Sequence, residues 1–334
     1  SLIHYLSLMR YHMCPSHSTA SLLSYLLPLH STVLSLVFVY SFHMFFPCFF
    51  LFFFLMIRRP PTSTLFPYTT LFRSVTWNIN SVRLRMPLVK TLTEQVQPDV
   101  LCLQETKTPD EHFPVEALKD LGYEHQHFHG MKGYNGVCIV SRHPFEGVDI
   151  HHRVGREDCR HIAAKLGRFE IHNLYIPAGG DEPNVDTNDK FAHKLDFVDE
   201  MTRWFKGQYT SDQPLIAVGD FNIAPYEHDV WSHKQLLKVV SHTPPETVRL
   251  GKMKDSLEWT DVARHFFPEE EKAYTWWSYR NRDWKKSNRG RRLDHVWVTP
   301  PLKDQLKSHD ILTEARDWEK PSDHVPVIVD LKAA

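Results

Sequence analysis

Two residues at the end of a buried run set the chemistry to be explained. In the stretch GDFNIAP, Asp220 and Asn222 follow the apolar run Leu215–Val218 directly. Side chains of a strand repeat every two residues, so the acid and the amide project toward one side. The same pattern recurs along the chain. TWNINS ends its run with Asn78 and Asn80, VLCLQETK ends with Glu105, and LYIPAGG brings Tyr175 to the close of another. RRLDHVWV supplies Asp294, and KPSDHVPV places Asp323 and His324 just before the last apolar run. Each has an ordinary explanation taken singly. Asp220 could close an Asx turn with Pro225 as punctuation, Glu105 could cap a helix, Asp294 could pair with Arg291 or Arg292, and His324 could be a satisfied core histidine. Their joint occurrence at strand ends instead describes oxygen ligands and one imidazole on rigid supports.

Eight apolar runs of strand length would carry these groups: 75–79, 99–104, 137–140, 161–166, 169–176, 214–220, 292–298 and 325–331. DVLCLQ and PLIAVGD are apolar on both faces, which suits strands covered by layers on both sides. Helical periodicity is clearest through Phe191, Leu195, Val198, Met201 and Phe205, spaced by three and four. A second helix is expected through Leu84, Leu88, Leu92 and Val96, and a third around 257–267. The runs at 161–166 and 169–176 leave no room for a helix between them, so a strict βαβ series is excluded. The expected fold class is α/β (α+β), a four-layer α/β sandwich of two mixed sheets flanked by helices.

Composition divides the 334-residue chain. Residues 1–74 contain no Asp, Glu or Lys and four Arg, so the remainder carries 40 acids against 35 bases, the 39 of the whole chain less those four arginines. The apolar stretch Val33–Met56 followed by Arg58 and Arg59 has the length of a membrane span with a cytoplasmic flank. Against that reading, Met56–Ser74 resembles translated sequencing-adapter read-through, and the expectation is a non-native or disordered extension over 1–74 and one catalytic domain over 75–334, with the first residues of the opening strand lost at the junction. On that reading there is no membrane partner. Cys102, Cys138 and Cys159 fall in the domain without a C-x-x-C pair, which points to a reducing, cytoplasmic setting and against a cysteine metal site. The net charge does not by itself indicate a nucleic-acid binder.

Taken in order, NINSVR, LQETK, NLYIPAGG, GDFNIAP, TWWSYR, NRGRRLDHV and PSDHVPV resemble the exonuclease III branch of the endonuclease/exonuclease/phosphatase superfamily, over nearly all of 75–334. The resemblance implies a site at one edge of the two sheets. It implies Glu105 as the principal divalent-metal ligand, with Asn78, Asp220, Asn222, Asp323 and His324 completing the metal and phosphate shell. Hard oxygen ligands with few histidines agree with Mg²⁺, for which Mn²⁺ could substitute. By the same likeness Asp220 orients or deprotonates water, Asn222 holds the phosphate, Asp294 orients His324, and Tyr175 serves as phenolic donor or as phenolate base. The chain departs from the pattern at Ser81, where a glycine commonly follows NIN.

DNA contacts are expected from Tyr274–Arg292, where three Trp and two Tyr alternate with basic residues. Basic groups reach phosphates while aromatic faces stack on bases. Resemblance places Trp276 and Trp277 near a pocket for an abasic sugar, Arg160 at the DNA backbone, and Arg280, Asn288 and Arg289 among the contacts. The alternating His125, His127 and His129 read as loop or edge-strand residues. The implied activity is a DNA-repair phosphodiesterase that removes nucleotides 3′ to 5′ from duplex ends, cuts 5′ to abasic sites, and acts as a 3′-phosphatase. The expected partner is double-stranded DNA with abasic sites or 3′ ends, and the enzyme is expected to be a monomer with no obligate protein partner. Two rivals are a relative acting on a small phosphoester and a non-catalytic nucleic-acid-binding module. The basic-aromatic segment disfavours the first and the intact acidic site the second.

Overall fold

The computed structural model describes residues 71–281 and 283–332. Expectations for residues 1–70, including the membrane span, and for Arg282 lie outside the described residues. Among the described residues no helix is long and apolar enough to cross a membrane.

Among the described residues fourteen strands follow in chain order: β1 (Leu71–Asn78), β2 (Val100–Gln104), β3 (His125–His129), β4 (Val137–Ser141), β5 (Gly147–Ile150), β6 (His161–Leu166), β7 (Phe169–Tyr175), β8 (Leu215–Asp220), β9 (Thr260–Asp261), β10 (Trp276–Trp277), β11 (Gly290–Arg291), β12 (Asp294–Val298), β13 (Leu306–Ile311) and β14 (Val327–Lys332). They form two six-stranded mixed sheets, ordered β13-β14-β1-β2-β4-β3 and β5-β6-β7-β8-β12-β9, and the small hairpin β10-β11. The principal helices are α1 (Met86–Val96), α2 (Asp189–Gln208), α3 (Pro244–Asp255) and α4 (Val262–Phe266).

The period of two decides the layers. On β2, Val100 and Cys102 face the other sheet, together with Val137 and Ile139 of β4 and Ile216 and Val218 of β8. The alternate residues Leu101, Leu103, Cys138 and Val140 pack outward beneath Leu88, Val89 and Leu92 of α1. Leu215 and Ala217 of β8 pack outward against Phe197, Val198, Met201 and Phe205 of α2 and Leu250 and Met253 of α3. The order of layers is therefore helix, sheet, sheet, helix, as expected from the doubly apolar runs.

Three boundaries differ from expectation. β1 begins at Leu71, four residues before Val75, and pairs with β14 from Leu71↔Lys332 onward. Arg73 is fixed there by Asp330 at 2.7 Å, and Phe72 packs edge-on against Phe169. The helix expected around 257–267 is only α4, because Thr260 and Asp261 pair with β12 and Asp261 then caps the helix. The longer helix is α3, started by Thr243 and Glu246 in a reciprocal capping box with prolines in its first turn; those residues satisfy the amides that a new helix leaves open.

Candidate active site

The inner-face stripes of the central strands turn from apolar to polar toward one end, through Phe72, Ser74, Thr76 and Asn78 on β1, Phe169, Ile171, Asn173 and Tyr175 on β7, and Ile216, Val218 and Asp220 on β8. Asn78 continues the stripe of β1, Tyr175 that of β7 and Asp220 that of β8, while Asp294 opens β12 opposite Asp220. β1 runs parallel to β2, and β7 parallel to β8, so their C-terminal ends share one edge of the sandwich. Beneath them Gln104 donates to Thr76 at 2.9 Å and to Asn173 at 2.7 Å, and Asn173 donates to the carbonyls of Leu103 and Cys138. This buried amide layer joins the two sheets directly under the site.

Two carboxylates meet across Asn78, whose Nδ2 donates to Glu105 Oε1 and to Asp220 Oδ2, both at 2.9 Å. Tyr175 Oη donates to the same Glu105 oxygen at 2.8 Å, and Lys107 Nζ lies 2.6 Å from Oε2. Burial alone would raise the Glu105 pKa, but the Lys107 ammonium and the Asn78 hydrogen bond bring it below the ordinary value. Burial, with the neighbouring charges of Glu105 and Asp220, pushes the Tyr175 pKa well up, so its phenol is neutral and a donor at neutral pH. Asn222 donates its backbone amide to Asp220 Oδ1 at 2.9 Å and its side-chain amide to Asp220 Oδ2 at 3.1 Å. The acid and the amide two residues apart are therefore one unit.

Facing them, the imidazole of His324 lies between two acids, with Nδ1 2.8 Å from Asp294 and Nε2 3.7 Å from Asp220. Asp294 also accepts from Thr275 Oγ1 at 2.6 Å. Burial alone would lower the His324 pKa; the charges of Asp294 and Asp220 and the bond to Asp294 outweigh it and raise the pKa to about 10. Burial pushes Asp220 above the ordinary carboxylate range against the pull of His324. Asp323 accepts from Asn80 at 3.1 Å and from the Trp276 indole at 3.0 Å.

The backbone here is unusual. Asn80, Ser81, Glu105, Lys107 and Asn222 all have positive φ, Ser81 at 86°. Such conformations cost about 1–3 kcal/mol each and cluster where the surrounding structure holds a functional geometry. Ser81 therefore occupies a left-handed position at which a glycine would be unstrained.

A cleft of about 630 Å³ opens beside these groups, lined by Glu105, Asn222, Trp276, Arg280, Arg289 and His324 among others. Arg289 lies over the Trp231 ring at 4.7 Å and Arg291 over Trp276 at 5.2 Å. Three expected DNA contacts are placed elsewhere. Trp277 is buried, with its indole donating to Asn288 at 3.1 Å, and both line a different cavity on the hairpin. Arg160 is held by Asp158 at 2.5 Å, by the Tyr175 carbonyl and by Asn135, with its guanidinium over the Tyr175 ring. Arg160 thus supports Tyr175. Sequence reasoning missed Lys107, although it stands within LQETK, and Arg85, whose guanidinium bonds the carbonyls of Asn80 and Pro321 and so ties the end of β1 to the Asp323 loop.

A second group, His151, His161 and His172, also gathers three imidazoles. Arg153 donates to His161 Nδ1 at 3.0 Å, so Nε2 must carry the proton and point it at His172 Nδ1, 3.1 Å away. The nitrogens that face one another are already joined by that hydrogen bond, and a metal would have to break it beside a guanidinium. Burial lowers all three pKa values, and the group reads as a neutral hydrogen-bonded His161–His172 pair with His151 beside it.

The strand ends, the paired carboxylates and the acid-clamped imidazole define a hydrolase site for a charged ester, and the chain belongs to the Endonuclease/Exonuclease/phosphatase family, whose profile matches residues 75–324. It is 30% identical to exodeoxyribonuclease III of Haemophilus influenzae over 274 residues, covering 77% of this chain and 99% of that one. An AP endonuclease from Archaeoglobus fulgidus superposes with a TM-score of 0.74 at 30% identity, over 78% of this chain and all of the other. The 3′ phosphatase NExo from Neisseria, solved bound to a product DNA hairpin, superposes with a TM-score of 0.72 at 32% identity, over the same shares of the two chains.

Proposed function

We propose that this protein is a Mg²⁺-dependent DNA-repair phosphodiesterase. It cuts 5′ to abasic sites, removes nucleotides 3′ to 5′ from duplex ends, and clears 3′-phosphates. The carrying observation is the convergence of Glu105, the Asp220–Asn222 unit and the Asp294-clamped His324 at the mouth of a cleft lined by Trp276, Arg280 and Arg289. The relatives' activities support the substrate class.

The donor set fits a hard divalent cation. Glu105, Asp220 and Asp323 present carboxylates, Asn78 and Asn222 are at hand, and the acidic cluster already draws the Lys107 ammonium onto Glu105, which supports a site for positive charge. When bound, the cation neutralises a non-bridging phosphate oxygen and the charge developing on the leaving group. Asp220 is held by Asn78 and Asn222 to accept a proton from water; burial raises its pKa and so strengthens it as a base. Asn222 keeps that acid in register. The imidazolium of His324, fixed by Asp294, donates to the phosphate. Tyr175 adds a neutral phenolic donor beside Glu105. In each reaction a bond forms between water oxygen and phosphorus, the P–O3′ bond breaks, and the departing oxygen takes a proton to become a 3′-hydroxyl. Trp276 offers an aromatic face to a base or to the space left by one, and Arg280 and Arg289 offer charges to the backbone.

The test is competition between substrate classes under one metal concentration. An abasic duplex should be cleaved far faster than a small phosphoester such as an inositol phosphate. A preference for the small ester would replace this reading with its rival.

A further inference from the structure

A buried charge lies beneath the site in a place where an apolar residue would be expected. Lys194 stands on the apolar face of α2, between Phe191, Leu195 and Val198, and its side chain is fully buried. Its ammonium ion-pairs with Glu246, equally buried, and donates to the carbonyls of Asn222 at 2.8 Å and Ala178 at 3.2 Å. The Glu246 carboxylate in turn accepts from the amides of Ser241 and Thr243 and from the Thr243 hydroxyl. One ion pair therefore reaches three loops that line the cleft: the Ala178–Gly180 loop after β7, the Asn222 loop after β8, and the Val240–Thr243 loop before α3. Gly179 makes the passage possible. A Cβ there would lie 2.8 Å from Lys194 Cδ and 3.1 Å from Val240, and its φ is 89°.

We propose that Lys194, paired with Glu246, is a positioning residue for phosphodiester hydrolysis, holding the left-handed Asn222 backbone so that the Asn222 amide stays on Asp220 and toward the phosphate. Asn222 sits at φ 53°, where an ordinary residue is held only by its surroundings. The peptide that follows it has its oxygen on Lys194, while the preceding peptide and the side chain are fixed on Asp220 and Ile176. Packing alone does not call for a charge here, since a buried ion pair is often no more stabilising than apolar residues of the same volume. What the ammonium adds is direction: two carbonyls and a carboxylate must converge on one point. The Asp199–Arg249 pair, 2.9 Å apart, joins the same two helices at a partly exposed place and touches none of the loops.

This rests on the proposed hydrolytic reading, so two readouts are needed. K194M/E246Q removes both charges at similar volume, E246Q alone serves if the double variant does not fold, and D199N/R249M is the control for loosened helix packing. Turnover on an abasic duplex should fall at least tenfold in the first two with KM within threefold, while the control stays within twofold of wild type. Equal turnover in the folded test variant and the control would overturn the proposal. Independently of any activity, the Asn222 side-chain amide, identified by its loss in N222A, should shift or broaden in ¹H–¹⁵N spectra of the test variants and not of the control. An unmoved resonance would overturn the positioning role even if the wild type cleaved no DNA, a result that would separately sink the functional reading.

Discussion

Replacing Asp294 by Asn keeps the shape of the clamp and removes one charge from beside His324. The imidazole and the carboxylate are both buried and 2.8 Å apart at their nearest atoms. Taking their charge centres as roughly 4 Å apart and an effective dielectric constant of about 20, the lost attraction is about 4 kcal/mol, which lowers the imidazolium pKa. The imidazolium, raised to about 10 by its two acids, would then lose its proton at a markedly lower pH. A raised pKa means that the charged form is favoured below it and lost as pH rises through it. At pH 8 the wild type keeps its proton and the variant has lost more of its charge. Cleavage by Asp294→Asn at pH 8 should therefore fall by about 10²-fold, from loss of the proton and of the orienting bond together, and should recover severalfold between pH 8 and 6.5. The assay pairs a pH profile of single-turnover cleavage with a titration of the His324 ring by NMR in metal-free protein. A variant whose profile parallels wild type, with turnover within threefold, would refute the reasoning.

Trp276→Ala should slow abasic-duplex cleavage by about 5- to 100-fold, the range of one lost stacking contact, and change small-phosphoester hydrolysis less than threefold; equal losses would remove Trp276 from DNA recognition. Asp229→Ala removes one of the two buried acids that bracket Arg292, at 2.7 and 2.8 Å, and leaves it Asp261 at 2.9 Å, and should lower the unfolding free energy by about 1.5–3 kcal/mol, measured by urea denaturation. Burial would raise the Asp229 pKa, but Arg292 and Arg264 hold it at about 2, so its contribution is complete above pH 4 and lost as pH falls from about 4 to 2; acid unfolding of the wild type that is flat across this window would contradict the assignment. Ser81→Gly relieves a φ of 86° and should stabilise by up to about 1 kcal/mol, the left-handed penalty less the added freedom of the unfolded chain; a lower melting temperature would show that Ser81 makes a contact worth more than its strain.

The sandwich was legible because the runs that became β2 and β8 are apolar on both faces, as strands covered by layers on both sides must be. β5 was not legible, since Gly147–Ile150 is exposed at a sheet edge and carries no alternation of burial. β13 was missed for a similar reason, with only Leu306 buried among its six residues. His125–His129 proved to be the edge strand that its alternation allowed. The residues expected at the metal and phosphate could be gathered from sequence because they stand at or close to strand ends. The partners that orient them could not. Arg160 has the type of a DNA contact, and only the fold shows its guanidinium spent on Asp158, Asn135 and Tyr175. Trp276 and Trp277 are adjacent, yet a strand sends them to opposite sides, one to the cleft and one to Asn288. Lys194 had a signal that was readable in principle: a lysine on the apolar stripe of a long helix has to find a buried acid.

The central claim is tested most directly by incubating the protein with an end-labelled duplex carrying one abasic site, with Mg²⁺ and with EDTA, beside Glu105→Ala and Asp220→Asn. The expected product is a single cut 5′ to the lesion that leaves a 3′-hydroxyl extendable by a polymerase, abolished by EDTA, cut by orders of magnitude in Asp220→Asn, and shifted to a higher Mg²⁺ requirement in Glu105→Ala. Cleavage that persists in EDTA, or wild-type turnover by Asp220→Asn, would contradict it.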